Sequence, residues 1–291
     1  MHANSIKSDS IKAKIQLNIL RAIVYIILIF LTLLCLFSFY MLIINATRSN
    51  GQLQGGFTLI PAGHFFENLK NAWTDSSINI PRGMLNSFIV ATLTAVLTTY
   101  FSALTAYGLY AYEFKLKRPA FIFIMLILVM PTQVSALGFI NLITKMGMLN
   151  TLYPLFLPSI AAPAVFYFMY SYMQSSLPLE LVEAARIDGS NEFHTFNRVV
   201  IPIMKPALAV QAIFAFVTSW NNYFIPALVI SDNSKKTLPI LIAALRSADF
   251  LKFDMGKVYM LITIAIVPII IVYIALSKYI VAGVALGGVK E

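Results

Sequence analysis

The strongest constraint on this chain is a set of six stretches that contain no Asp, Glu, Lys, Arg or His: 22–47, 83–112, 119–144, 146–179, 206–231 and 258–277. A helix needs about 20 apolar residues to cross the hydrocarbon core of a bilayer, and each stretch is long enough. Composition agrees: 59% of the 291 residues are hydrophobic and 11% are charged, where a soluble domain carries about 25% charged residues. Too much of the sequence is apolar to hide in one core, so the bilayer must be its solvent. Polar flanks trim the stretches to spans near 21–44, 87–110, 119–138, 153–174, 207–230 and 258–277. The expected fold is all-α, a polytopic membrane helix bundle of six transmembrane helices.

Lys7, Lys12, Lys14 and Arg21 precede the first run, as in a secretory leader. The run is too long for one, and no small-x-small cleavage site follows, so it reads as a retained anchor. Six spans put both termini on the same side of the membrane. Positive charge favours the cytoplasm, and the basic N-terminal segment and the Glu113–Arg118 turn put that side inside. The organisation is then a cytoplasmic segment 1–20, a transmembrane domain 21–278 and a cytoplasmic tail 279–291. The net charge of +9 would suggest nucleic acid for a soluble protein. Here the basic residues flank apolar runs, and the expected contact is membrane lipid, with no nucleic acid.

The interiors of the spans lack the ionisable residues on which ion-coupled carriers and proton pumps depend. There is no phosphate-binding glycine loop for ATP, and His2, His64 and His194 have no partners at metal spacing. Cys35 is alone and cannot form an internal disulfide. The chain is read as no enzyme, with no cofactor and no metal of its own.

Mild polar residues remain inside: Thr92, Thr94, Thr98, Thr99, Ser102 and Thr105 in the second span, Gln133 in the third, and Trp220, Asn221, Asn222 and Tyr223 in the fifth. They suit hydrogen bonds between helices, and equally a path for a neutral polar solute in which Trp220 and Tyr223 stack on a sugar face. Pro154, Pro158, Pro163 and Pro178 crowd the fourth span, with Pro131 and Pro226 elsewhere. Such breaks mark either kinked structural helices or the edge of a translocation path.

Two connections are long. Segment 45–86 is polar, contains Gly51, Gly55, Gly56 and Pro61, and falls outside. Segment 178–206 falls in the cytoplasm and holds the densest charge clustering in the chain. In it Pro178, Glu180 and Glu183 suit a helix start. Leu181, Ala184 and Ala185 share a face at i, i+3, i+4 spacing, and Gly189 suits the left-handed residue that ends a helix. A second short helix from about Ser190 to Arg198 completes a helix–turn–helix. Such a hairpin either docks another protein or lies on the membrane surface.

Glu183-Ala184-Ala185, Asp188-Gly189 and Ile201-Pro202 resemble the EAA coupling motif of bacterial ABC importer permeases, with the usual I-x-L-P ending altered to Val199-Val200-Ile201-Pro202. Leu85-Asn86-Ser87, Met130-Pro131, Ser219-Trp220-Asn221 with Pro226, and Ala285-Leu286-Gly287-Gly288-Val289-Lys290 are similar to the smaller permease subunit of the maltose-type carbohydrate branch. The resemblance runs from about Ala22 to the end of the chain. It implies a subunit of a sugar importer in a bacterial plasma (inner) membrane, paired with a second permease as a heterodimer. Two copies of a cytoplasmic ABC ATPase would bind the ATP, and an extracellular or periplasmic sugar-binding protein would deliver the cargo. It further implies that Glu183, Ala184, Ala185, Asp188 and Gly189 couple to the ATPase and that Gly287, Gly288, Val289 and Lys290 reach it from the tail. Because the sugar of the maltose-type transporter lies mainly in the larger permease, Trp220, Asn221 and Tyr223 either line the translocation path or pack against that partner. A permease for another solute, or an ATP-independent carrier or channel, are the rival readings.

Overall fold

The computed structural model describes residues 2–75, 78–246 and 254–287, and the regular elements among them are helices. The chain forms two compact units, residues 1–71 with 254–263 and residues 72–253 with 264–291.

In the first unit, α1 (His2–Ala46) contains Lys14–Ala46, a stretch long and apolar enough to cross a membrane. Every side chain from Lys14 to Tyr40 is exposed, as suits a helix whose solvent is lipid. Segment 45–86 is more than the polar connection the sequence suggests. Its first part is folded around the end of α1, with α2 (Asn50–Gln54) closed by a reciprocal Ser49–Gln52 capping box and α3 (Phe65–Trp73) following. Arg48 is buried because its guanidinium finds acceptors, the carbonyls of Gln52 and Gly56. The Asn68 amide donates to the carbonyls of Ala46 and Arg48, both at 2.9 Å, satisfying groups that a helix end leaves open. Gly256 meets the same corner, and a Cβ there would stand 2.7 Å from the Arg48 carbonyl oxygen.

The second unit is built on α4 (Ile80–Ala111). The helix starts at Asn79, whose Oδ1 accepts from the Arg82 N–H at 3.3 Å, with Pro81 in the first turn where its missing donor costs nothing. α5 (Lys117–Leu128) and α6 (Thr132–Lys145) follow, then α7 (Tyr153–Phe156), a 3-10 turn Leu157–Ile160 and α8 (Pro163–Ser176). Next come α9 (Leu179–Ile187), α10 (Glu192–Thr195), a π turn Phe196–Val200, α11 (Ile201–Ile203) and α12 (Lys205–Trp220). α13 (Phe224–Val229), α14 (Leu238–Arg246) and α15 (Met255–Gly287) complete the order.

α12 and α8 pack along α4. Small buried residues on α4, among them Ala91, Ala95, Ser102, Ala103 and Ala106, permit this close approach. Thr98 Oγ1 donates to the Ser159 carbonyl at 3.1 Å, and Ser102 Oγ to that of Ala162 at 3.5 Å. Those carbonyls lie where Pro158 and Pro163 interrupt the helical ladder, so these hydroxyls serve packing.

By length and composition, four described helices can cross a membrane: Lys14–Ala46, Ile80–Ala111, Tyr153–Ser176 and Met255–Lys278. The other two expected spans are interrupted. The third is split by Pro131, at the N-cap of α6, because a proline ring cannot continue the helix before it. The fifth breaks between α12 and α13 at Asn221–Tyr223, and Pro226 lies within α13. Arm Glu192–Ile203 meets α12 at 82°.

Candidate functional site

The 178–206 segment is a helix–turn–helix. Pro178 has an extended backbone (φ −66°, ψ 126°) and starts α9, with Glu180 in its first turn and Arg186 in its last, both favourable to the helix dipole. Gly189 has φ +84° and ends it. Ser190 N–H donates to the Ala185 carbonyl and Gly189 N–H to that of Arg186, both at 3.0 Å, the paired bonds of a Schellman stop. Asn191 then caps α10, its Oδ1 accepting from the His194 N–H at 2.8 Å. The second arm runs past the expected end at Arg198 to Ile203. Its π turn is closed by the Ile201 N–H on the Phe196 carbonyl, just before Pro202.

Burial orients the hairpin. Val182, Phe196, Val200 and Met204 join Ala103, Ala106, Tyr107, Met169 and Met173 in one core. Each buried Val, Phe or Met side chain among them contributes roughly 1.5–3 kcal/mol. Glu183, Ala184, Asp188 and Gly189 face outward and Ala185 is half-buried. Ile187 is 86% exposed and Phe193 72%, with Leu181 exposed beside them. Four of the five coupling candidates are therefore accessible, while the fifth, Ala185, lies with Val182 and Arg186 on the face toward the core.

Sequence reasoning missed an ion pair across the turn. Arg186 Nε donates to Glu192 Oε1 at 2.7 Å, and the guanidinium carbon lies 5.0 Å from the centre of the Tyr112 ring. Tyr107 O–H donates to Glu192 Oε2 at 3.1 Å. Opposite charges flanking the Gly189 stop were the visible signal for the pair; the tyrosines, about 80 residues away on α4 and just after it, gave none. The Arg186 hydrogen bond holds the Glu192 carboxyl below the usual carboxylate range, and Glu192 in turn holds the guanidinium charged. Burial raises the Tyr112 phenol. The ion pair is half-exposed and adds about 0–1 kcal/mol, so burial attaches the hairpin and the pair sets its turn.

The second candidate region is an open cleft of about 620 Å³ lined by Trp220, Asn221, Tyr223, Leu238, Pro239, Ile242, Ala243 and Ala265. It brings the three path candidates together, and no lining side chain is charged. Trp220 is 3% exposed, stacked on Phe216 at 5.7 Å and 15°, and donates its indole N–H to the Ala265 carbonyl at 3.1 Å. Its ring is occupied by the protein. Asn221 and Tyr223 are exposed, which leaves the Tyr223 ring and the Asn221 amide accessible in the cleft.

Asn86 and Ser87 have a packing role. The Asn86 amide donates to the carbonyls of Ser234 and Lys236, each at 3.0 Å, and Ser87 Oγ accepts from the Leu238 N–H at 2.8 Å. They fasten the segment before α14 to the start of α4. Gly287 ends α15, while Gly288, Val289 and Lys290 lie outside the described residues.

Apolar helices, one of them broken beside a neutral cleft, and a capped hairpin that exposes Ala184, Ile187 and Phe193 define a multi-pass membrane protein of the transport class. The family described as binding-protein-dependent transport system inner membrane component matches residues 95–285, and the chain belongs to it. It is 31% identical to the arabinooligosaccharides transport system permease protein AraQ of Bacillus subtilis (strain 168), over 94% of this chain and 98% of that one. It is 30% identical to the diacetylchitobiose uptake system permease protein NgcG of Streptomyces coelicolor, over 91% and 88%. A crystal structure of a bacterial ABC transporter involved in the import of the acidic polysaccharide alginate has the same fold, with TM-score 0.77, 20% identity and coverage of 90% and 96%.

Proposed function

We propose that the chain is the transmembrane permease subunit of an ATP-driven, binding-protein-dependent importer of a sugar or oligosaccharide. It moves cargo inward by alternating access, while ATP is hydrolysed on a separate ATPase subunit. The observation that carries this reading is the outward face of the hairpin. Ala184 has no side chain beyond Cβ to hold a partner off, and Ile187 and Phe193 offer apolar surface for it to cover. Glu183 and Asp188 add charge for its basic groups. Gly189 keeps both arms in register. Closure of an ATPase pair on two such hairpins, one from this chain and one from a second permease, would then reorient the helices.

The names of AraQ and NgcG favour saccharide cargo, and the uncharged lining of the cleft suits a neutral solute better than an anion. Tyr223 supplies the ring face for a sugar and Asn221 the hydrogen bonds, with Trp220 as the wall behind them. The division into segment 1–20, transmembrane domain 21–278 and tail 279–291, with both termini cytoplasmic, belongs to the same reading. So does contact between Gly287–Lys290 and the ATPase. Reconstitution of this chain with its partner permease, ATPase and binding protein in liposomes tests it. Uptake of a neutral oligosaccharide is expected only with ATP and ATPase present. Uptake by the permeases alone would contradict the reading.

A further inference from the structure

On the reading that the hairpin docks the ATPase, we infer that Tyr107 and Glu192 form the tie that carries hairpin movement into α4, as positioning residues of the transport cycle. The Glu192 carboxylate is a junction. Oε1 accepts from Arg186 Nε of α9 at 2.7 Å, and Oε2 accepts from the Tyr107 O–H of α4 at 3.1 Å. Three segments therefore meet on one side chain at the foot of the hairpin. The apolar contacts beneath it, from Val182, Phe196 and Val200, hold the hairpin on but are non-directional and tolerate sliding. A hydrogen bond to a charged acceptor fixes position.

Tyr107 is built for this. It is 3% exposed, one turn before the end of α4. Its ring lies 5.8 Å from Tyr112, edge-on, and 5.6 Å from Phe196, so the phenol is held toward Glu192. α4 is also the helix against which α8 and α12 pack, and α12 ends at Trp220 in the wall of the cleft. Movement that enters α4 at Tyr107 reaches the cleft through packed helices.

The test uses the full complex in proteoliposomes. Tyr107→Phe removes one O–H and leaves the ring packing. Unchanged assembly and a melting temperature lowered by no more than a few degrees are expected, with sugar moved per ATP hydrolysed reduced about fivefold, the worth of one net hydrogen bond. Glu192→Gln should reduce the ratio at least as much, since it also weakens the Arg186 contact, and the double variant no further than Glu192→Gln alone, because Tyr107 acts only through that carboxylate. A wild-type ratio in Tyr107→Phe, a lowered melting temperature with the ratio intact, or additive effects in the double variant would each overturn the tie. Gly189→Asp separates the two claims. If it weakens ATPase binding while Tyr107→Phe couples normally, docking stands and the tie fails. If ATPase binding survives Gly189→Asp unchanged, the docking reading fails and the tie with it.

Discussion

Gly189 combines a left-handed backbone, φ +84°, with open space, since a Cβ there would meet nothing within 4 Å in the chain. Its constraint is therefore conformational, worth about 1–2 kcal/mol for an ordinary side chain. Asparagine tolerates this region better than alanine. Gly189→Asn is accordingly expected to retain more ATPase affinity than Gly189→Ala, measured by titrating labelled ATPase into the permease complex. Equal losses would point to a steric requirement of the partner. The Glu192 carboxyl obeys a simple linkage: its folded value is lowered by Arg186. The stabilisation is present above the ordinary glutamate value of about 4.3 and is lost as pH falls through the folded value. Hairpin integrity, followed by protease nicking near Gly189, should be flat from pH 8 to pH 5 in wild type. Nicking that rises between pH 7 and 5 would contradict the assignment.

At the scale of elements, the prolines were legible as interruptions and the structure shows where each one acts. Pro154, Pro158 and Pro163 each occupy the first turn of a short helix, and Pro178 caps another. Their effect is to divide the fourth span into three pieces that Thr98 and Ser102 hold together. The glycine stop was legible too, since it follows from local chemistry; of the face expected from Leu181, Ala184 and Ala185, the first two are exposed and Ala185 is half-buried. Three features were not legible. The break at Asn221–Tyr223 has no proline to announce it, and the π turn before Pro202 appears only when a second arm must continue past that proline. The clamp at Asn150 depends on residues about 80 positions away. Asn150 is left-handed (φ +62°), and its Oδ1 accepts from the N–H groups of Ser231 and Asp232 at 3.0 and 2.8 Å. Asn150→Ala loses both bonds and keeps the strained backbone, a cost of about 2 kcal/mol. Asn150→Gly loses the bonds but relieves the strain, so in detergent it should melt at the higher temperature of the two. The reverse order would show that the left-handed backbone at this position carries no strain.

At the scale of the whole molecule, sequence alone was sufficient for class, because stretches without charge dictate a membrane protein and 183–202 resembles a known coupling motif. Relatives named as saccharide permeases match nearly the full chain. The path residues were only partly legible. Trp220, Asn221 and Tyr223 do share one cleft, yet the indole is stacked and hydrogen-bonded within the protein, a fact set by Phe216 and Ala265 rather than by its own neighbours in sequence. The account stands on the claim that the exposed face of α9 meets an ATPase. Cysteine crosslinking between hairpin and ATPase tests this most directly, in a background with Cys35→Ser. Ala184→Cys, on the outward face, is predicted to crosslink to the ATPase in the assembled complex, and Val182→Cys, 1% exposed, is predicted not to. No adduct from Ala184→Cys in a complex that hydrolyses ATP and transports would contradict the account.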